Sequence, residues 1–268
     1  MQETREDEVA ALLANANWYH AFEVLPGIRT PGRFQVDARW VFDERFKLPA
    51  DLSGKRALDI GALDGPYTFE LEARGAAVTA VDIQHPDHTG FNTAKRLRGS
   101  QARYIQGDVY DLPRLLPDQT FDLITFFGVW YHLKNPVLAF ERINTVQAEG
   151  GYLLFEGEAL LNHLEHSTVP PAESEALARQ LSRSPLPLSL FYAGPYKGDL
   201  YNWTVPNPAC VMAWLEATGF EWIMDGVWDD PPNQRLYGIA RKGGAVPVDN
   251  PVWTPDELAA SRGRTTHP

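Results

Sequence analysis

From Lys55 onward the chain alternates short apolar runs with longer mixed stretches. The runs are "RALDI", "AVTAVDI", "RYIQGD", "FDLITFFG" and "GYLLFEG", each closing on a turn or an acidic residue. Such runs predict buried strands, and four segments able to form helices or loops separate them. Strands alternating with helices predict a parallel sheet covered on both faces. The helix from Pro66 to Arg74 is marked by Pro in its first turn and by Gly75 just past its end. A second opens at Pro136, carries Phe140, Ile143 and Val146 as its apolar stripe, and is closed by Gly150. Residues 159–200 break this rhythm with Pro and Ser and no clear strand, which predicts an insertion. The alternation then resumes with "NPACVMAWLEATGF" as a helix, followed by the strands "EWIMDGVWD" and "QRLYGIARK".

Ahead of this region, residues 4–16 predict a short helix with Val9, Leu12 and Leu13 on one side. An aromatic, Pro- and Gly-rich segment follows, then a helical stretch over 37–46. The expected organisation is an N-terminal lid segment (1–50), a main domain (51–242) with a cap at 159–200, and a surface tail (243–268).

Composition narrows the function. The 268 residues include 24 Lys and Arg against 35 Asp and Glu, a net charge of −11. This disfavours nucleic acid, whose binding depends on Lys and Arg displacing counterions. A single cysteine, Cys210, excludes an internal disulfide and a cysteine-rich metal site. No apolar run nears the roughly 20 residues of a membrane span. The N-terminus lacks the cationic start and apolar stretch of a secretion signal, so a cytoplasmic location is expected. The expected partner is a small molecule; a homodimer is left open.

The chemistry concentrates where the first strand of the main domain meets its helix. Gly61-Ala62-Leu63-Asp64-Gly65 does not match the G-x-G-x-x-G of dinucleotide sites, and Asp59 and Asp64 would repel a diphosphate there. An acidic loop suits S-adenosyl-L-methionine, which has no phosphate and carries an ammonium and a sulfonium beside one carboxylate. On this reading the Gly65 amide faces the carboxylate and Asp59 the cationic end. Asp82 ends the second strand 21 positions after Gly61, placed for two ribose hydroxyls. That spacing alone serves NAD equally. Asp108 ends the third strand, where its carboxylate can take an adenine amino group and the Val109 amide a ring nitrogen.

"NWYH", "TPG", "LDIGALDG", "GVWYHLKNP" and "YNWTVPN" together resemble class I S-adenosylmethionine-dependent methyltransferases, within the group related to the tRNA uridine-34 5-oxyacetic acid transferase. The resemblance is good over residues 51–157 and moderate over 201–242. It implies a doubly wound, mostly parallel, seven-stranded α/β sheet of Rossmann-like type, with an N-terminal helical lid and an insertion after strand five. It implies cofactor contacts at Asp59, Gly61, Ala62, Asp64, Gly65, Asp82, Ile83, Asp108, Val109, Phe127 and Gly128. Leu63 stands where such loops usually carry a middle glycine. The tRNA enzyme transfers a carboxymethyl group and needs basic residues for its extra carboxylate. Here only Lys134, Arg33 and Arg39 suggest themselves, so methyl transfer to O or N of a small acceptor is preferred. A tRNA reaction, cyclisation of the cofactor and an NAD-dependent dehydrogenase are the alternatives.

For the acceptor, His132 after the fourth strand is either a base or a helix-capping packing residue. Glu156, read as the end of the fifth strand, is a catalytic candidate that orients the substrate or accepts a proton, or else a structural group; Tyr131 is a catalytic candidate better suited to shaping the pocket than to acting as a base. Trp18, Tyr19, His20 and Arg33, with Tyr201, Asn202 and Trp203, are substrate-lining candidates or ordinary packing. His163 and His166 are read as a solvated loop, and no metal is expected.

Overall fold

The computed structural model describes residues 2–166, 168–230 and 233–243. Apart from Gly243, the expected tail lies outside them. The main strands are β1 (Arg56–Ile60), β2 (Ala77–Asp82), β3 (Arg103–Gln106), β4 (Phe121–Phe127), β5 (Gln147–Glu158), β6 (Phe220–Asp230) and β7 (Asn233–Lys242). They form one sheet in the order β6-β7-β5-β4-β1-β2-β3. β1, β2 and β3 pair in parallel, whereas β7 runs antiparallel to both β5 and β6. This is the seven-stranded, mostly parallel α/β sheet that the sequence implied.

The chain divides into two compact units, Met1–Thr125 and Phe126–Pro268. In the first, helices α1 (Gln2–Ala14), α2 (Pro66–Ala73) and α3 (Phe91–Arg98) accompany β1 to β3. Val9, Leu13, Phe22, Val24, Phe69 and Phe91 share one apolar cluster, so the segment before residue 50 belongs to the core of this unit. Gly65 precedes α2 in a left-handed conformation (φ 89°), and a Cβ there would fall 2.6 Å from the Phe69 ring. Only glycine satisfies both demands. The expected helix over 37–46 is a single turn, Ala38–Trp40, continued by a wider turn through Arg45.

In the second unit, helices α4 (Pro136–Val146), α5 (Pro171–Ser182) and α6 (Pro208–Ala217) accompany β5 to β7. Asn135 caps α4 by accepting from the Leu138 amide, and the helix ends at Val146 instead of Gly150. β5 starts there and runs on to Glu158, so Glu158, not Glu156, closes the strand. The insertion is also more ordered than the sequence suggested. It holds α5 and a short strand, Ser189–Phe191, paired with Thr204–Pro206. Fully buried Asn207 fastens it: its Oδ1 accepts from Cys210 and Leu188, and its Nδ2 donates to the carbonyls of Leu181, Ser184 and Leu186. One side chain thus caps α6 and ties down the insertion.

Candidate active site

In the first unit the loop after β1 is built from its own acids. Asp59 is fully buried and accepts from Thr68 Oγ1 at 2.5 Å and Thr125 Oγ1 at 2.7 Å. Burial raises its pKa and outweighs those hydroxyls. Asp64, without solvent exposure, accepts from the backbone amides of Tyr19 (2.9 Å) and His20 (2.7 Å), and from His20 Nδ1. The carboxylates that the sequence assigned to a cationic ligand are therefore engaged inside the protein. The Gly65 amide, expected to meet a ligand carboxylate, donates to Ala62 O at 2.8 Å and closes a turn. Leu63 occupies a left-handed conformation (φ 50°), costly for a γ-branched side chain. It is held by its amide on Asp82 Oδ2 (2.9 Å) and by Thr89 Oγ1, which donates to its carbonyl.

Asp82 also accepts from the Gln84 amide at 2.8 Å, and burial raises its pKa. Each of its oxygens keeps a second lone-pair direction, so it can still take ribose hydroxyls. Beside it, Ile83 is 67% exposed, an unusual position for an isoleucine and a ready apolar face for a flat ring. Asp108 lies past the end of β3; it caps the turn at Val109–Asp111 by accepting from Tyr110, and Val109 is buried. The residues after β1, β2 and β3 thus suit an adenosine better than a diphosphate.

The segment at Trp18–Arg33 has a structural explanation for most of its motif. Trp18 donates to Leu13 O and lies where a Cβ on Gly90 would sit. Thr30 donates to His20 O, and Gly32 passes so close to the His20 backbone that a Cβ would collide at 2.1 Å. "TPG" and Asp64 thereby fix His20 from two sides, with Nδ1 donating and Nε2 as the remaining ring nitrogen. The Tyr19 and Phe34 rings pack tilted by 34° with centroids 4.6 Å apart and are both exposed, and Arg33 lies 5.2 Å over Phe34.

In the second unit, sequence reading missed the central residue, Arg235. It forms a bidentate pair with Glu156 (Nε to Oε1; Nη2 to Oε2 at 3.0 Å), and its Nη1 donates to Tyr131 Oη at 3.1 Å. Glu158, on the same face of β5, accepts from Tyr196 Oη (2.9 Å) and Lys197 Nζ (2.6 Å) and lies 3.9 Å from Arg235 Nη1. Burial lowers the Arg235 pKa, but Glu156 and Tyr131 outweigh it and hold the guanidinium firmly charged. Burial raises the Tyr131 pKa, so the phenol stays neutral and is no base. Glu156 is committed to Arg235, which removes it as a base. At the end of β4, Gly128 has φ 72°, and a Cβ there would lie 3.5 Å from both Arg235 Nη2 and Tyr131 Oη. The missing side chain leaves room against that pair. Phe127 next to it is buried.

His132 Nδ1 lies 3.2 Å from Tyr201 O, which fixes Nδ1 as the donor and leaves Nε2 as an acceptor. The ring is reachable by solvent, yet partial desolvation lowers its pKa, against the raising effects of Tyr201 O and Asp199. Tyr201 is 72% exposed. Asn202 is buried, donates to Tyr196 O at 3.0 Å, and leaves Oδ1 without a partner. The Trp203 amide donates to Tyr131 O, and its ring lies 4.2 Å beneath Lys134 Nζ. Among the described residues, no cluster of three or more His, Cys, Asp or Glu could hold a metal, and no helix is long and apolar enough to cross a membrane.

A methyltransferase-domain family model matches residues 58–155. The tRNA U34 carboxymethyltransferase of Pseudomonas fluorescens (strain Pf0-1) is 25% identical over 220 residues, 81% of this chain and 61% of that protein. The same enzyme of Pseudomonas aeruginosa (strain LESB58) is 29% identical over 192 residues, 69% and 52% of the two chains. The chain therefore matches between half and two thirds of these relatives' length. Among solved structures, the N-terminal domain of EvdMO1, determined in the presence of SAH and D-fucose, aligns with a TM-score of 0.58 at 18% identity, covering 90% of this chain and 97% of that one. Magnesium protoporphyrin IX methyltransferase from Synechocystis PCC 6803 with bound SAH aligns at 0.52 and 13%, covering 77% and 80%. Sequence model, relatives and sheet agree: this chain carries a methyltransferase domain on the fold of the S-adenosylmethionine-dependent methyltransferases.

Proposed function

We propose that the protein transfers a methyl group from S-adenosyl-L-methionine to an oxygen or nitrogen of a small polar acceptor, with a sugar-like metabolite favoured. S-adenosylmethionine, when bound, supplies a carbon already activated for in-line displacement. Gly61, Asp82, Ile83 and Asp108, all in the first unit, are the residues suited to hold it. The chain's remaining task is to align the acceptor and remove its proton. His132 suits that second role: neutral at physiological pH, with Nδ1 held by a backbone carbonyl and Nε2 able to receive the proton. Tyr131, Tyr201, Asn202 and Trp203 suit the first.

The observation that carries the choice of acceptor and group is charge compensation. Arg235 is paired by Glu156 and Lys197 by Glu158, and Lys134 lies over the Trp203 ring, so the two cations beside Tyr131 are already compensated, which favours an uncharged transferred group. The net charge of −11 points the same way. The EvdMO1 domain studied with D-fucose suggests a sugar to try as acceptor, and the named activity of the relatives suggests tRNA. Incubation with methyl-labelled S-adenosylmethionine, deoxyhexoses including D-fucose, and bulk tRNA tests the reading. Label is expected in the small-molecule fraction; label in tRNA would overturn it.

A further inference from the structure

We infer that the first unit carries a second small-molecule site, one that takes a zwitterion with an apolar body: a free α-amino acid with an apolar side chain. It is a cavity of about 480 Å³ between the short hairpin of Glu23–Leu25 and Ile28–Arg29, α2 and α3. The inference stands apart from the proposed function, since none of Gly61, Asp82, Ile83 and Asp108 lines that cavity.

The apolar wall comes from Val24, Leu25, Pro26, Val36, Ala38 and Pro66, and the volume suits a small organic ligand. The charges around it are arranged less commonly. Glu23 and Arg29 stand directly opposite each other in the hairpin register, where opposite charges ordinarily pair. Here they are held apart. Arg29 Nη2 donates to Ala21 O at 2.6 Å and to Gln35 Oε1 at 2.9 Å, while Glu23 Oε1 accepts from the Gly27 amide at 3.3 Å. Half-buried Arg98, in the last turn of α3, donates through Nη1 to the carbonyls of Glu23 and Val24. Asp37 accepts from the Trp40 amide and caps the turn that follows it. Among the described residues, none of these four side chains has an ion-pair partner. The two other charges of the lining are met by residues that do not line it, Arg39 by Asp43 and Glu70 by Arg74.

Two guanidiniums and two carboxylates therefore face one cavity without pairing. Each guanidinium has five N–H donors and commits two of them. A purely anionic ligand would satisfy the arginines and be repelled by Glu23 and Asp37, and a purely cationic one would meet the reverse. A zwitterion answers both. Its carboxylate meets Arg29 and Arg98, its ammonium meets Glu23 and Asp37, and its side chain lies on the apolar wall.

The test is calorimetric titration of the full chain with L-leucine, L-methionine and L-phenylalanine, in saturating S-adenosylhomocysteine so that the donor site cannot take them. Saturable one-site binding of at least one is expected. Its N-acetyl derivative, which lacks the ammonium, its amide, which lacks the carboxylate, and glycine, which lacks the side chain, should each bind about tenfold more weakly or worse. Arg29→Gln and Asp37→Asn, the second of which keeps the cap, should each cost a similar factor. Both should leave S-adenosylhomocysteine binding within about twofold, as independent sites require. No binding of any of the three amino acids, an N-acetyl derivative bound as tightly as its parent, or amino-acid binding unmoved by both variants would overturn the inference. Amino-acid binding that depends on Arg29 and Asp37 in a protein that takes no S-adenosylhomocysteine would uphold it and strike the proposed function alone.

Discussion

Each unit holds a pair of buried or half-buried carboxylates, and they are stabilised in opposite ways. In the first unit Asp59 is met by two hydroxyls, and Asp64 by backbone amides and one imidazole. In the second, Glu156 and Glu158 are met by Arg235 and Lys197. Dipolar partners shape a loop without leaving any charge exposed, and suit a region that must keep one conformation around a cofactor. Ionic partners hold charged side chains in a fixed mutual geometry. The difference teaches that acidity in a sequence says little about where the charge ends up.

The largest effect should come from breaking the ionic side. Arg235→Met leaves Glu156 without its cation and should cost about 3–5 kcal/mol in chemical denaturation. A loss below about 1 kcal/mol would mean that solvent carries the pair. On the dipolar side, Asp59→Ala strands two buried hydroxyls and should cost about 2–3 kcal/mol. Asp59→Asn sharpens the contrast through pH. Since the folded pKa of Asp59 is raised, its contribution is fully present below the unfolded carboxylate value and is lost as pH rises through the folded one. Wild type should therefore lose stability relative to Asp59→Asn as pH climbs from the acid range, and parallel curves would refute a raised pKa at Asp59.

Much of this architecture could be read in the chain. The apolar runs at 56–60, 77–83 and 121–128 announced β1, β2 and β4 because buried strands need unbroken hydrophobic stretches. The places of Gly65, Asp82 and Asp108 after β1, at the end of β2 and past β3 were legible because turns and acidic residues mark where the apolar runs stop. Contacts between distant segments were not. Arg235 meets Glu156 across 79 positions, and His20 meets Asp64 across 44. Nothing local distinguishes Arg235 from Arg241 and Lys242 on the same strand. A pattern rule could have raised it: a charged residue inside an otherwise apolar strand usually has a buried partner. Helix α5 was hidden by Pro170, Pro171 and a mixed polar sequence whose apolar face consists largely of small residues and Leu.

Two smaller effects refine the comparison. His132→Gln should remove the acidic limb of the pH profile of kcat/KM, which in wild type should lie below the ordinary histidine range because the ring's pKa is lowered. An unchanged limb would move the base elsewhere. The smallest change is expected from Leu63→Gly. It relieves a left-handed leucine (φ 50°) but frees the unfolded chain, so stability should shift by no more than about 1 kcal/mol in either direction. A larger loss would show that the Leu63 side chain, not only its backbone, supports the loop.

The central claim is that the loop after β1, with its acids engaged internally, holds an adenosine-bearing sulfonium donor and not a diphosphate cofactor. Calorimetric titration of the intact protein with S-adenosylhomocysteine and, separately, with NAD addresses it directly. The account predicts saturable one-site binding of S-adenosylhomocysteine and no binding heat from NAD. Tight NAD binding without any to S-adenosylhomocysteine would contradict it.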